Sequence, residues 1–348
     1  MTEEKGAGRA PPDALPAAPA GAAAYSGARV AVTGGLGFIG SALARRLAAL
    51  GAEVLVLDNT LPGSGANRFN LAGAAGRLVI EECDIRDGEA MRRHLAGRDF
   101  LFNLAAQTSH QGSMAEPLLD LDINCRAQLA LLETCRAVNP AITIVFASTR
   151  QIYGRPDYLP VDESHPVRPP DVNGVDKAAG EAFHLLYHRV YGMRCSALRL
   201  TNTYGPRMRI KDARQTFIGV WIRALIEGRP FEVWDGTQRR DLTFVEDAVD
   251  AFLLAALSPG MQGRAANLGG AGGAISLTGL AEMLIAGNGG GTFAVKDFPE
   301  ERRRIDIGDY FGDDRLLRET TGWAPRTGLA EGLAQTLAFF REHFAHYV

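Results

Sequence analysis

The sequence has few cysteines and almost no net charge. Its four cysteines are spread over 348 residues and form no CxxC pair, which disfavours a metal cluster or a disulfide framework and is typical of a reducing compartment. The formal net charge is −3, so the chain lacks the basic excess with which proteins bind nucleic acids or anionic membranes. We therefore expect a cytoplasmic protein with no metal site and no nucleic-acid partner.

Long apolar runs are also missing. No uninterrupted run reaches the roughly 18 residues of a membrane helix, and Glu3, Glu4 and Lys5 are not followed by the compact apolar region of a signal peptide. We therefore expect a soluble protein that does not associate with membranes. Between Ala10 and Ala24, eight of fifteen residues are alanine and four are proline. Because this composition cannot bury an apolar face, we predict that residues 1–27 form a disordered tail.

Strand-like and helix-like segments alternate from Arg29 onward. Short apolar strands are predicted at Val30–Val32, Glu53–Asp58, Leu78–Ile80, Phe100–Phe102, Ile142–Phe146 and Cys195–Leu200. This alternation predicts an α/β fold with a doubly wound parallel sheet, of the Rossmann type, covered by helices on both faces. We assign residues 28–205 to this domain. Residues 206–348 contain too few strands to extend the sheet far, and we predict a smaller mixed α/β lobe, mainly substrate-binding, with some segments returning to the first domain.

A glycine triplet lies at the first strand-to-helix turn. In Gly34-x-x-Gly37-x-x-Gly40, the first glycine allows the turn, the second lets the backbone approach a pyrophosphate, and the third lets the helix pack on the strand. The amino end of the helix offers N–H groups to the anion. Asp58 closes the next strand, where a carboxylate accepts hydrogen bonds from both ribose hydroxyls. Asn59 follows instead of an arginine that would hold a 2′-phosphate, which favours NAD over NADP.

With these features the sequence resembles the extended short-chain dehydrogenase/reductase family, the NAD-dependent nucleotide-sugar epimerases and dehydratases. The resemblance covers almost all of Arg29 to Val348. The segments that carry it, besides the glycine loop, are Asp84-Ile85, Asn103–Ala106, Asn124, Ser148–Gly154, Asn202–Arg207 and Gly236–Asp241. It implies NAD as the cofactor and a nucleoside-diphosphate sugar, most often a UDP-sugar, as the substrate.

The resemblance also assigns roles to individual residues. It implies cofactor contacts for Gly34, Gly37, Phe38, Ile39, Gly40, Asp58, Asn59, Asp84, Ile85, Leu104, Ala105, Ala106 and Lys177. In the catalytic set, the hydroxyl of Thr149 would bond the sugar, Lys177 would bond the nicotinamide ribose, and Asn124 would belong to the same active site. The substrate contacts it suggests are Arg150, Asn202, Arg209, Arg240 and Arg303.

The chain departs from the family at the general base, which is the tyrosine of a Tyr-x-x-x-Lys motif. Asn173 occupies that position, four residues before Lys177, and an amide has no accessible pKa, so it orients a hydroxyl without removing its proton. Three explanations remain open: another base, a proton path through Lys177 or through water and Thr149, or loss of the oxidation, which would leave a binding protein. The residues close enough in sequence to be another base are Asp176, His165, Tyr153 and Tyr158.

The residues after Thr149 bear on the type of reaction. Arg150 and Gln151 stand where the family's 4,6-dehydratases carry an acidic pair, and the glutamate expected near Gln151 in UDP-glucuronate decarboxylases is missing. Arg150 either pairs with a substrate carboxylate or makes a surface ion pair. We predict an NAD-dependent epimerase that oxidises C4 transiently, with an NDP-uronate decarboxylase, a dehydratase-like enzyme or a non-catalytic binding protein as alternatives.

The family commonly forms dimers by packing two long helices of each subunit into a four-helix bundle. The helices predicted at 118–138 and 176–191 could serve here, since Phe183, Leu186, Tyr187 and Val190 form an apolar stripe. The same stripe suits an ordinary core. We expect a homodimer.

Overall fold

A computed structural model describes residues 15–213 and 216–348. Its strands are β1 (Arg29–Thr33), β2 (Glu53–Asp58), β3 (Arg77–Glu82), β4 (Phe100–Asn103), β5 (Thr143–Thr149), β6 (Arg194–Leu200), β7 (Asn202–Tyr204), β8 (Phe231–Trp234), β9 (Arg239–Arg240), β10 (Leu242–Phe244), β11 (Ala265–Asn267), β12 (Ile275–Ser276) and β13 (Phe293–Lys296). Seven of them form one parallel sheet in the order β3-β2-β1-β4-β5-β6-β11. The strand order reverses between β1 and β4, and ligands of such sheets bind at that point.

Helices cover both faces of the sheet, as predicted. They are α1 (Phe38–Ala49), α2 (Gly88–Leu95), α3 (His110–Ala115), α4 (Pro117–Leu121), α5 (Ala127–Val138), α6 (Val172–Tyr191), α7 (Phe217–Ile226), α8 (Val245–Leu257), α9 (Leu277–Asn288), α10 (Glu300–Arg303), α11 (Arg315–Thr321) and α12 (Leu329–His343). Along β1, Val30 and Val32 belong to one hydrophobic core and Ala31 to another. Alternate residues of a strand point to opposite faces, so both faces are buried, and the doubly wound fold is confirmed.

The helix predicted at 118–138 is not continuous. A π-helical turn at Asp122–Arg126 separates α4 from α5. The wider turn packs against α6 and contains the buried Asn124. Single π turns inside helices often occur at functional sites, and hydrophobic periodicity alone does not reveal the extra residue.

The predicted tail is ordered in its described part. Residues 1–14 lie outside the described residues, but Ala22–Tyr25 forms a 3₁₀ turn. The ring of Tyr25 is fully buried, lies 5.1 Å from the ring of Phe100, and its hydroxyl donates a hydrogen bond to the carbonyl of Leu253 (2.8 Å). The prediction of disorder is therefore wrong for this part, because one aromatic side chain supplies the burial that the alanines and prolines lack.

The second half of the chain contributes to both parts of the molecule. Its β11 pairs with β6 and adds one strand to the large sheet, while β7 with β10, β9 with β12, and β8 with β13 form small two-stranded sheets. The second half of the chain therefore adds one strand to the large sheet and forms three small sheets with its other strands. Among the described residues, no helix combines the length and the apolar character needed to cross a membrane.

Candidate active site

A cavity of about 290 Å³ lies at the carboxyl ends of the central strands. Most of the residues singled out from the sequence line it: Gly34, Gly37, Phe38, Ile39, Gly40, Asp58, Asn59, Asp84, Ile85, Leu104, Ala105, Ala106, Thr149, Arg150, Asn173, Lys177 and Asn202. Asn124, Arg209, Arg240 and Arg303 do not line it. Within the described part of the chain, no group of three or more His, Cys, Asp or Glu side chains is placed to hold a metal ion.

The glycine loop forms one end of the cavity. Gly34 has a left-handed backbone (φ 66°), and a Cβ there would lie 2.9 Å from the carbonyl oxygen of Leu104. A Cβ on Gly40 would lie 2.3 Å from the carbonyl oxygen of Gly34, so α1 can start against the loop only with glycine at that position. The amino end of α1 therefore reaches the cavity with bare backbone, an arrangement that suits the pyrophosphate of a dinucleotide.

Carboxylates lie beside this loop at the ends of β2 and β3. Asp58 is buried and accepts hydrogen bonds from the backbone N–H of Leu36 (3.0 Å) and of Thr60 (2.9 Å), and burial raises its pKa. Both carboxylate oxygens keep lone pairs for ribose hydroxyls. Asn59 donates to Asp84 (2.8 Å), whose pKa falls to about 2, chiefly through its hydrogen bond from Arg86. The cavity end that would hold the adenosine is thus anionic and preorganised.

Thr149 and Lys177 lie in the wall opposite the loop. Thr149 ends β5, and its hydroxyl accepts a hydrogen bond from the N–H of Gln151 (3.2 Å), which leaves its proton free to donate. The ammonium of Lys177 donates to the carbonyl of Ala147 and lies 4.3 Å from the ring centroid of Phe146. Burial lowers the pKa of Lys177 to about 8, against the opposite influence of nearby carboxylates.

Asn173 is held by hydrogen bonds from its own amide. Its Nδ2 donates to the carbonyl of Gln107 (2.8 Å) and to Oδ2 of Asp120 (3.2 Å). Asn124 lies beneath it and donates to the same two groups, at 2.9 Å each. Both asparagines therefore brace the cavity wall, and Asn124 does so from below the surface of the cavity.

A second buried carboxyl group lies beside Asp120. Asp176 is buried, and burial and the adjacent carboxyl of Asp120 raise its pKa to about 7. Two adjacent buried carboxyl groups cannot both ionise at low cost, because the two negative charges repel each other. The pair therefore keeps a proton near neutral pH, directly under the wall that Asn173 and Lys177 form.

One arginine, Arg150, is among the described residues that line the cavity. Arg150 donates a hydrogen bond to Oδ1 of Asn202 (2.8 Å) and lies 5.3 Å from the ring centroid of Tyr310. Its Nη1 is buried and has no hydrogen-bond partner within the residues described. Burial lowers the pKa of Arg150, which is the direction expected for a cation that lacks a full complement of acceptors. Arg150 is therefore not the surface ion pair that one interpretation of the sequence offered.

The other three arginines singled out from the sequence already have protein partners. Arg209 pairs with Asp212 (2.6 Å). Arg240 is buried, pairs with Asp306 (3.4 Å) and donates to the carbonyl of Gly308, and burial lowers its pKa to about 10. The side chain of Arg303 is 58% exposed on α10, 3.8 Å from a glutamate one turn away. The structure does not bring these three into the cavity, because each is satisfied where its own segment places it.

Sequence reasoning missed a histidine–aspartate pair. His110, the first residue of α3, lines the cavity, and its Nδ1 lies 3.0 Å from Oδ2 of Asp171. Asp171 caps the amino end of α6, two residues before Asn173, through a hydrogen bond from the N–H of Gly174 (2.7 Å). An aspartate before a helical run is a recognisable cap signal, but only tertiary packing shows that the histidine lies against it.

Helix α6 is anchored to the sheet by a buried ion pair. Glu181 accepts hydrogen bonds from Ser148 (2.6 Å) and from Arg199 (2.6 Å). Ser148 precedes Thr149 on β5, and Glu181 lies one helical turn after Lys177. The anchor therefore fixes the distance between the two catalytic candidates without help from a ligand.

The chain is similar in sequence to proteins of one known family. The profile of the NAD dependent epimerase/dehydratase family matches residues 30–269. A UDP-glucose 4-epimerase of Mycolicibacterium smegmatis is 33% identical over 317 residues, which are 90% of this chain and 98% of that protein.

Two solved structures have the same fold. The UDP-N-acetylglucosamine 4-epimerase from Methanobrevibacter ruminantium M1, in complex with UDP-N-acetylmuramic acid, has a TM-score of 0.84 at 28% identity, covering 91% of this chain and 99% of that one. MoeE5, in complex with UDP-glucuronic acid and NAD, has a TM-score of 0.77 at 29% identity, covering 90% and 99%. With the glycine loop, the strand-end cavity and the profile match in place, this chain belongs to the NAD dependent epimerase/dehydratase family.

Proposed function

We propose that the protein binds NAD and interconverts two epimers of a UDP-sugar by transient oxidation of the C4 hydroxyl. The observation that carries this proposal is that one cavity holds both the glycine loop and the pair Thr149 and Lys177. A dinucleotide on the loop would extend towards these two residues, since they face the loop across the same strand ends. The relatives named as UDP-sugar 4-epimerases support the same reaction.

The residues of the cavity fit NAD. Gly34, Gly37 and the amino end of α1 would hold the pyrophosphate, Asp58 the adenosine ribose, and Lys177 the nicotinamide ribose. The residues that would cover the rest of the cofactor are Asn59, Asp84, Ile85, Leu104, Ala105 and Ala106. When bound, NAD accepts a hydride from the sugar and gives it back. In this proposal Thr149 bonds the reacting hydroxyl and Asn173 orients it.

The reaction type follows from the residues after Thr149. Dehydration or decarboxylation in this family calls for added acid groups at this point. Arg150 donates to Asn202, and the amide of Gln151 donates to Asp171 (2.8 Å), so neither side chain supplies a carboxyl. Epimerisation needs only oxidation, rotation of the keto-sugar and return of the hydride, which this set of residues supports better than the alternatives.

A specific observation favours a uronate among the UDP-sugars. The unpartnered Nη1 of Arg150 is a buried cationic donor at the wall of the cavity, and guanidinium groups bind carboxylates with two parallel hydrogen bonds. MoeE5, a structural relative, was solved with UDP-glucuronic acid. We therefore place UDP-glucuronate beside UDP-glucose as a candidate substrate, with an NDP-uronate decarboxylase as the alternative outcome.

We also propose a homodimer formed through α4, α5 and α6, and a cytoplasmic location. Leu118 is 74% exposed, and Val175, Val190 and Tyr191 are each more than half exposed, which supports a partner surface on these helices. All four cysteines are free thiols, as expected in a reducing compartment. Analytical ultracentrifugation distinguishes the dimer from a monomer.

To test this function, the purified protein is incubated with NAD and with a panel of UDP-, dTDP-, CDP- and GDP-sugars. Sugar stereochemistry is followed by NMR and NADH by absorbance near 340 nm. We expect an epimer from a UDP-sugar, and a loss of about 10²-fold or more in Thr149→Val and Lys177→Met. Thr134→Val, which deletes a hydroxyl on α5 away from the cavity, is the matched control. Binding of a sugar nucleotide without product or NADH would contradict catalysis and favour a binding protein.

A further inference from the structure

The proposed oxidation needs a group that removes the hydroxyl proton, and Asn173 is not that group. Its Nδ2 donates to Gln107 and Asp120, and an amide has no accessible pKa. The inference below rests on the proposed function and concerns which side chain takes the proton instead.

The two tyrosines near the site in sequence do not face the cavity. Tyr153 is fully buried, and its hydroxyl is held between Arg199 (2.6 Å) and Asn267 (2.7 Å). Burial raises the pKa of Tyr153 to about 12. Tyr158 is exposed and donates a hydrogen bond to Asp162 (2.8 Å). Neither hydroxyl lines the cavity, so both candidates fail on geometry.

The other two candidates, His165 and Asp176, do not line the cavity either. His165 has both ring nitrogens in use, since one accepts from the N–H of Asp157 (2.8 Å) and the other meets the carbonyl of Pro166 (2.8 Å). Asp176 lies beside Asp120 beneath the wall and does not line the cavity.

His110 lines the cavity together with Thr149, Asn173 and Lys177. Its Nδ1 is shielded from solvent, makes no hydrogen bond within the residues described, and lies 3.0 Å from Oδ2 of Asp171, whereas 38% of the side chain is accessible. The accessible part is therefore the remainder of the ring, and the edge with Nε2 is the one that can meet a ligand. Asn173 belongs to the neighbouring helix, because α3 packs against α6 and Asn173 follows Asp171 by two residues.

Asp171 is placed to hold the imidazole in one tautomer. Its side chain has no exposed surface, and its oxygens accept hydrogen bonds from Gly174 (2.7 Å) and Gln151 (2.8 Å). Although burial alone would raise the pKa of Asp171, it is lowered, because these groups and His110 stabilise the carboxylate. A carboxylate 3.0 Å from Nδ1 attracts a proton on that nitrogen, and the tautomer that it favours leaves the lone pair of Nε2 free to accept another proton.

We propose that His110 is the general base of this enzyme and that Asp171 is its positioning residue. In the forward step Nε2 takes the proton of the C4 hydroxyl, the C4–H bond breaks as its hydride passes to the nicotinamide of NAD, and the C4–O bond becomes a carbonyl. In the reverse step the hydride returns to the other face of the keto-sugar and the imidazolium gives its proton back to the oxygen. The amide of Asn173 orients the sugar without entering the transfer.

The kinetic test compares His110→Gln, His110→Ala and Asp171→Asn with the wild type. We expect kcat to fall about 10²–10⁴-fold in both His110 variants, while the Kd of the UDP-sugar measured by calorimetry changes less than about threefold. Free imidazole should restore turnover in His110→Ala, where it has room, and not in His110→Gln. His94→Gln, a change of the same type on α2 away from the cavity, should leave kcat unchanged. Asp171→Asn keeps a capping side chain and should lower kcat without raising KM.

A second readout needs neither cofactor nor turnover. The ¹⁵N shifts of the neutral His110 ring in the cofactor-free protein report which nitrogen carries the proton, and we expect Nδ1–H in the wild type and a shift towards Nε2–H in Asp171→Asn. Full activity of His110→Gln, or an Nε2–H ring in the wild type, would overturn the role of His110 and leave the proposed function intact. A wild-type protein that turns over no sugar nucleotide would overturn both.

Discussion

Substitution of Asp176 by asparagine should stabilise the protein, and only above mildly acidic pH. Asp176 and Asp120 form a buried pair in which the pKa of Asp176 is raised from 3.8 to about 7 by burial and by the second carboxyl. Folding therefore favours the protonated form, so this group contributes most stability below about pH 4, and the contribution is lost as the pH rises to about 7. At pH 8 the folded wild type holds two carboxylates side by side. Asparagine removes that repulsion and offers an N–H donor to Asp120.

The size of the effect follows from the pKa difference. At 1.36 kcal/mol per pKa unit, the change from 3.8 to about 7 sets a ceiling of about 4 kcal/mol. Because the two groups titrate as a pair, only part of this ceiling belongs to Asp176, and the expected gain of Asp176→Asn is on the order of 1–2 kcal/mol at pH 8. The gain should shrink at pH 5, where Asp176 of the wild type is protonated.

Urea unfolding at pH 5 and pH 8 measures this gain. The exposed carboxylate of Glu116, on the same segment as Asp120, provides the control Glu116→Gln, which should change the free energy of unfolding by less than about 0.5 kcal/mol at either pH. An Asp176→Asn protein that is less stable than the wild type at pH 8, or equally stabilised at both pH values, would refute the shared proton.

Two further predictions concern ligands. Gly40→Ala should weaken NAD binding at least about tenfold in calorimetry, because its Cβ would collide with the carbonyl of Gly34. The control Gly88→Ala, with open space around its Cβ, should leave the affinity unchanged. Equal affinities of the two variants would refute the close packing of the loop. Arg150→Met should weaken the binding of UDP-glucuronate about tenfold, which is the contribution of a hydrogen bond to a charged group, and should weaken the binding of UDP-glucose much less. An equal loss of affinity for both ligands would instead indicate that Arg150 binds the diphosphate.

The cofactor half of the site could be predicted from the sequence because its determinants are local. Gly34, Gly40 and Asp58 belong to one strand–helix–strand unit, in which spacing along the chain fixes position in space. The proposed catalytic pair, Thr149 and Lys177, was assigned from its resemblance to the family motif, and both residues line the cavity.

The positions of the candidate substrate residues relative to the cavity were harder to predict, because they depend on packing between distant segments. Arg240 and Arg303 have the right charge, but a buried ion pair and an exposed helix keep them away from the cavity. His110 was missed because its partner Asp171 is 61 residues further along the chain, and their contact exists only where α3 packs on α6. The burial of Tyr25 was not predicted, because the segment around it is rich in alanine and proline. That average composition indicated disorder in spite of the one aromatic ring.

The burial of Tyr25 determines how a truncation before Gly27 would affect the stability of the protein. The ring lies against Phe100, at the amino ends of the strands, whereas the cavity occupies their carboxyl ends. A chain shortened to begin at Gly27 would open a void there, and lost aromatic side chains of this kind cost about 3–5 kcal/mol. The midpoint temperature of unfolding would fall, while the residues that line the cavity would keep their positions. This contribution to thermal stability and the ligand-binding cavity thus lie at opposite ends of the same strands. Each can therefore vary in evolution or by design without the other.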